Sequence, residues 1–215
     1  MILFLKLKLF LATQKLYDKL IFDNDLLYCN RQTNFIKMNY TELQWKQCHI
    51  TDVIDNRISP HTGPIIYRWW FHKEDSKVMN VLCEHSGDVL FENIDKNLPE
   101  HVGVASGTYY ALYLGKGVNG RRRLKNHLSP RKRTSTLRRT IAALLNTNDE
   151  DDITAALLTC YYEWCELDCN KEDLERIEKG LIKDGYYPLN LKDNPNISKQ
   201  WKEVIQNKRS ALTCH

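Results

Sequence analysis

Apolar residues fill Ile65-Ile66-Tyr67-Arg68-Trp69-Trp70-Phe71 behind Gly63-Pro64, with Arg68 as the one interruption, and predict a buried strand. Val81-Leu82 and Val89-Leu90-Phe91 flank Gly87-Asp88 and predict a hairpin inside an insertion. A second long strand is expected over Tyr109 to Leu114, stopped by Gly115 and Gly117. Period two then places Tyr109, Ala111 and Tyr113 on one face and Tyr110, Leu112 and Leu114 on the other. Cys160 to Leu167 reads as a third strand.

Helical spacing follows from Arg121 to Leu128, ended by Pro130. A further helix is expected from a Ser135 cap, with Leu137, Ile141, Leu144 and Leu145 on one face. Asn146 to Asp152 looks like a polar, acidic loop. Asn170 to Lys183 carries helical signals: Asn170 or Asp168 as N-cap, acids in the first turn, and Gly185 beyond the end. A last basic helix spans about Lys199 to Leu212. A small sheet with interspersed helices is an α+β (mixed α/β) arrangement.

The N-terminus differs in pattern. Met1 to Ala12 is apolar but broken by Lys6 and Lys8, which does not make a signal peptide; a short strand or amphipathic helix is the local reading. Residues 1–37 are expected to be an extension outside the functional chain, with a single domain over 38–215 beginning at Met38. No run of about 18 apolar residues offers a membrane span. Seven scattered cysteines are an odd set without paired C-x-x-C spacing, so reduced thiols and a cytoplasmic setting are expected.

Net charge is only +4, but it is unevenly divided. Val102 to Asn148 holds ten basic residues and no acid: Lys116, Arg121, Arg122, Arg123, Lys125, Arg131, Lys132, Arg133, Arg138 and Arg139. Elsewhere 21 basic residues face 27 acidic ones. Such asymmetry suggests a polyanionic partner, and the arginines and lysines outside the catalytic set fit phosphate tracking. Trp69, Trp70 and Phe71 read as core.

Three features carry chemistry. Lys116 follows Tyr113 by three residues, in the expected turn, where its ammonium would approach the phenol. Arg123 and His127 are four apart and share a helical face. Glu178 falls within the stripe of Leu174, Ile177 and Leu181. An inward carboxylate needs a partner, either an arginine such as Arg123 or Arg138 or a hard cation.

These spacings resemble the GIY-YIG nuclease family. The second tyrosine motif appears as Tyr113-Leu114-Gly115, with Lys116 behind it, Arg123 ten residues after the tyrosine, and His127 one turn later. The E-x-x-L-I pattern of the metal-binding glutamate appears as Glu178-Lys179-Gly180-Leu181-Ile182, and P-x-N as Pro188-Leu189-Asn190. Gly107-Thr108-Tyr109 fits the letters of the first motif but lies only four residues before Tyr113, with no turn between them. Ile65-Ile66-Tyr67 is therefore taken as the first motif. That leaves an insertion over about 72–106, within a core of about 63–190 that excludes the last helix.

The resemblance implies a small antiparallel three-stranded sheet flanked by helices, and a metal-dependent endonuclease acting on DNA. It implies one divalent ion, Mg2+ (or Mn2+), at Glu178, and Arg123 on the scissile phosphate. It gives Tyr67 or Tyr113 the attacking water, and His127 either a proton relay or a phosphate contact. Free tyrosine titrates near 10, so Lys116 or the metal would have to lower it. Asn190 is expected to fix the fold beside Glu178. With no target-reading module recognised, a restriction-type or structure-selective repair role is favoured over a homing one. The alternatives are an inactive nucleic-acid-binding module of the same fold and a basic protein-interaction domain.

Overall fold

The computed structural model describes residues 43–55, 58–60, 62–85, 100–102, 108–130 and 135–213, all within one unit, Tyr40–His215. In chain order the elements are β1 (Lys46–His49), α1 (Ile50–Ile54), β2 (Ile65–His72), α2 (Lys77–His85), β3 (Glu100–Val102), β4 (Thr108–Gly117), α3 (Gly120–Leu128), α4 (Thr136–Leu145), α5 (Glu150–Leu158), β5 (Tyr161–Glu166), α6 (Lys171–Asp184) and α7 (Lys199–Thr213). The strands form one antiparallel sheet in the order β1-β5-β2-β4-β3. The α+β class is as expected. The three predicted strands are its centre, and β1 and β3 widen it to five.

β2 lies between β5 and β4 and is buried on both faces, which explains its nearly continuous apolar run. Arg68 is tolerated because Glu163, its cross-strand partner, accepts from Arg68 Nη1 at 3.2 Å and from Trp70 Nε1 at 3.0 Å. The Trp45 ring covers the same guanidinium at 3.9 Å. Trp69, Trp70 and Phe71 are core residues, as read from the sequence.

Strict alternation fails in β4. Trp69 pairs with Tyr113, but Trp70 pairs with Ala111, so a bulge leaves Leu112 without an opposite residue. Directly opposed residues share a sheet face. Tyr110 (opposite Phe71) and Tyr113 (opposite Trp69) therefore lie on the face of Tyr67, while Tyr109 and Ala111 lie on the other. The expected grouping of Tyr109 with Tyr113 is thus corrected.

The glycines do not stop β4, which runs through both to Gly117. Gly115 is opposite Tyr67, and a Cβ there would land on the Tyr67 phenol. A Cβ on Gly117 would come within 2.8 Å of Arg123 Cβ. Both glycines serve close approach rather than a turn.

Two further expectations change. Val81 and Leu82 are helical: Ser76 Oγ accepts from Met79 N at 3.3 Å at the start of α2, and Val78, Met79 and Leu82 turn into the core. Val89-Leu90-Phe91 lies outside the described residues, as do residues 1–37. The acidic stretch expected as loop instead opens α5: Asp149 caps it and Glu150, Asp151 and Asp152 fill its first turn. There the acids complement the helix dipole.

Candidate active site

The side chains of the candidate site converge from two strands and a helix: Tyr67 from β2, Tyr113 from β4, and Arg123 and His127 from α3. β2 presents Tyr67, and the bulge in β4 turns Tyr113 to the same face, with ring centroids 6.4 Å apart. Asn119 caps α3 by accepting from Arg122 N at 2.8 Å, and Gly120 N donates to Gly63 O at 3.1 Å, tying the helix start to the segment before β2. Leu124 and His127 face inward from α3, and Arg123 lies beside them, half-buried.

These residues form a hydrogen-bonded chain. Arg123 Nε donates to the Tyr67 hydroxyl at 2.8 Å. The same hydroxyl is 2.7 Å from His127 Nε2, and His127 Nδ1 is 2.7 Å from Ser135 Oγ. Ser135 also caps α4, accepting from Arg138 N at 3.1 Å. Tyr162 stacks on Tyr67 with centroids 5.5 Å apart, and Trp69 meets His127 edge-on at 5.6 Å. Tyr113 interacts with Arg123 as well.

Burial sets the protonation states. It pushes the Tyr67 phenol well above its ordinary range, with Tyr113 adding to the rise and Arg123 opposing it. Tyr113 is raised by burial too, against the pull of Arg123. Burial, then Arg123 and Arg138, lower His127 well below the ordinary imidazole value. His127 is therefore neutral near pH 7. The Tyr67 oxygen accepts from Arg123, so the chain is consistent when Tyr67 O–H donates to His127 Nε2 and Nδ1–H donates to Ser135 Oγ.

Lys116 does not meet the tyrosines as expected. It stands opposite Ile66, on the sheet face away from Tyr67 and Tyr113, and its ammonium is 2.6 Å from Glu178 Oε2 and 4.0 Å from Glu175 Oε2. The cation that opposes the burial of the tyrosines is Arg123. Leu174, Ile177, Leu181 and Ile182 bury one side of α6, while the Glu178 side chain stays 20% exposed. Its protein partner is Lys116 rather than Arg123 or Arg138, and its charge still reaches both phenols. One partly exposed carboxylate fits a hydrated Mg2+ that completes its shell with water and substrate phosphate.

Asn190 is structural in its contacts. Its side-chain oxygen accepts from Leu114 N at 2.8 Å and its NH2 donates to Leu114 O at 2.7 Å, while Leu189 N donates to Leu112 O at 3.0 Å. The segment after Pro188 thereby pairs with β4 beyond the end of β3, covering open backbone beside Gly115.

The basic residues separate into three groups. Arg121, Arg122, Lys125 and Arg139 are exposed, Arg121 Nε donating to Ser59 Oγ at 3.0 Å. Arg131, Lys132 and Arg133 lie outside the described residues. Arg138 is fully buried: its guanidinium donates to His127 O at 3.2 Å, Thr154 Oγ1 at 3.0 Å and Glu150 Oε2 at 2.6 Å. Its expected phosphate contact is thereby corrected. Sequence reading missed Ser135 as the partner of His127, and Tyr162 under Tyr67. The cap signal at Ser135 was visible, but nothing in it pointed to an imidazole.

Two outcomes test this geometry. Gly115→Ala places a methyl on the Tyr67 phenol, so cleavage should fall about 10²-fold with about 1–3 kcal/mol lost in stability. A variant with wild-type rate and melting temperature would contradict the close approach. His127 concerns pH. The unfolded chain binds a proton near pH 6.5 that the folded chain refuses, so stability is full above that pH and falls below it, by up to about 1.4 kcal/mol per pH unit. Melting between about pH 7 and 5 should show a flatter pH dependence in His127→Gln than in wild type; parallel curves would refute a neutral buried His127.

The sequence model of the GIY-YIG catalytic domain matches residues 65–211, well over half of the chain. The chain belongs to the GIY-YIG family, a family of nucleases whose substrate class is nucleic acid. The match opens at Ile65, where the first tyrosine motif was placed, and runs into α7, which the resemblance had left outside. No curated protein and no solved structure compared with the chain gives a match. Among the described residues, no helix is long and apolar enough to cross a membrane.

Proposed function

We propose that the chain is a metal-dependent endonuclease that hydrolyses DNA phosphodiester bonds, in a restriction-type or structure-selective role. The supporting observation is the Arg123–Tyr67–His127–Ser135 chain, which aims a phenol with its own proton acceptor at the site of a guanidinium. Arg123 has five N–H donors, and those not turned to the phenols bind the scissile phosphate and offset charge in the transition state. Tyr67 orients the attacking water and takes its proton as the Tyr67 proton passes to His127 Nε2, so no free phenolate is required. Ser135 holds the imidazole in the receiving tautomer. Tyr113 steadies Arg123 from the other side. Glu178 would hold Mg2+ (or Mn2+), which supplies charge neutralisation at the phosphate and leaving group.

A second reading, a binding module without cleavage, is favoured by one observation: Lys116 already neutralises Glu178. Nicking of supercoiled plasmid separates the two. The enzyme reading expects nicked product with Mg2+ and none with EDTA; intact plasmid bound by the protein under both conditions supports the second reading. Sequencing the cut ends from a mixed DNA library would separate the restriction-type role, with one recurring sequence, from the structure-selective one.

A further inference from the structure

A lysine sits where the divalent cation of the proposed site would bind. Lys116 follows Gly115, which lies against the Tyr67 phenol, and its ammonium is 2.6 Å from Glu178 Oε2. One turn back along α6, Glu175 turns its Oε2 to the same ammonium at 4.0 Å, while Lys179 holds Glu175 Oε1 at 3.1 Å. We propose that Lys116 is a movable stand-in for the cation. It covers Glu178 until a divalent ion arrives and then passes to Glu175, which makes Glu175 a positioning residue for the exchange. The proposal rests on the metal-dependent reading of the site.

The geometry favours exchange over a permanent pair. The pair is not needed to dock α6, because Leu174, Ile177, Leu181 and Ile182 already bury its inner side. The side chains of Lys116, Glu178 and Glu175 are 27%, 20% and 45% exposed, so water and a hydrated ion reach all three. The two carboxylates are three residues apart in one helix and share a face. A move of about 1 Å would bring the ammonium from 4.0 Å into close contact with Glu175. A compact charge on a flexible four-carbon stem makes that move with its backbone fixed in β4. If Lys116 stayed, an ammonium and a dication would repel each other at one carboxylate. The competing role is a permanent clasp between β4 and α6, which is the reading without cleavage.

The test measures metal binding alone. Mn2+ is titrated into the full chain without DNA and followed by the EPR signal of the free ion, with melting temperatures confirming that each variant folds. Lys116→Met should bind Mn2+ about fivefold tighter than wild type, the factor that roughly 1 kcal/mol, the upper range for an exposed pair, makes in an equilibrium. If Lys116→Met does not fold, Lys116→Gln serves in its place. Lys116→Arg keeps the cation and should show no gain. Adding Glu178→Gln to Lys116→Met should abolish the binding, and Mn2+ that stays bound there lies elsewhere and overturns the proposal. Glu175→Gln should weaken binding at least about twofold more with Lys116 present than in the Lys116→Met background, because only then does the ammonium lose its second seat. An equal loss in both backgrounds makes Glu175 a ligand or a distant charge and overturns the exchange. Equal affinities in wild type and Lys116→Met overturn it too. Binding by Lys116→Met but not by wild type marks a permanent clasp, which overturns the exchange and leaves Glu178 as the ligand. Mn2+ bound by neither defeats the metal reading itself, and this inference with it.

Discussion

Arg138→Ala should destabilise the protein by about 3 kcal/mol, near the lower end for breaking a buried ion pair. The side chain is wholly enclosed, with its guanidinium on Glu150, Thr154 and the carbonyl of His127. Its removal opens a gap between α4, α5 and the end of α3, and leaves the Glu150 carboxylate without that cation. Glu150 is 31% exposed and can partly rehydrate, which keeps the loss from being larger. A shift of about 10 °C in melting temperature is expected, against almost none for Arg122→Ala on the exposed side of α3. Because His127 loses the support of its carbonyl, cleavage should fall as well. The salt slope of DNA binding should not change. A variant that melts like wild type and loses a unit of slope would return Arg138 to the phosphate-tracking set.

Arg138 also shows where sequence reading reached its limit. Within an acid-free block the three basic clusters Arg121-Arg122-Arg123, Arg131-Lys132-Arg133 and Arg138-Arg139 look like one surface, and composition has no means of telling an inward position from an outward one. Its counter-ion, Glu150, lies just outside that block, in a stretch whose acidity resembled a loop. Those acids begin a helix because Asp149 caps it and the first turn favours negative charge. β2, β4, β5, α3, α4, α6 and α7 were legible from their hydrophobic pattern, helped in α4 and α6 by the N-caps Ser135 and Asn170. β1 and α1 were not, being short elements whose formation depends on pairing with β5 and on the bond from Ile50 N to Cys160 O.

The catalytic side chains were legible as letters but not as contacts. Tyr67 and His127 are sixty residues apart, and only the packing of α3 against the sheet brings their side chains to 2.7 Å. The bulge at Leu112 was invisible in the sequence, yet it decides which face Tyr113 joins. Gly115 and Gly117 were read as a stop when they are clearance for Tyr67 and Arg123. Lys116 was assigned to the tyrosines by proximity in sequence, but the pleat of β4 sends it to the opposite face and to Glu178.

Glu178→Gln carries the second large effect. The glutamate and its Lys116 partner are each partly exposed, so breaking their 2.6 Å pair should cost less than about 1 kcal/mol. Glutamine keeps the shape and removes the charge, so fold and DNA affinity should survive, with affinity equal to or above wild type because one negative charge near the phosphate is gone. Cleavage depends on that charge to hold the cation, and its loss should reduce the rate by at least about 10²–10³-fold. The direct measurement is Mg2+-dependent nicking of supercoiled plasmid by wild type and Glu178→Gln side by side, with melting and DNA binding recorded on the same preparations. The account predicts a wild type that nicks with Mg2+ and not with EDTA, and a folded, DNA-binding variant that does not nick. A Glu178→Gln protein that still cuts DNA with Mg2+ would contradict it.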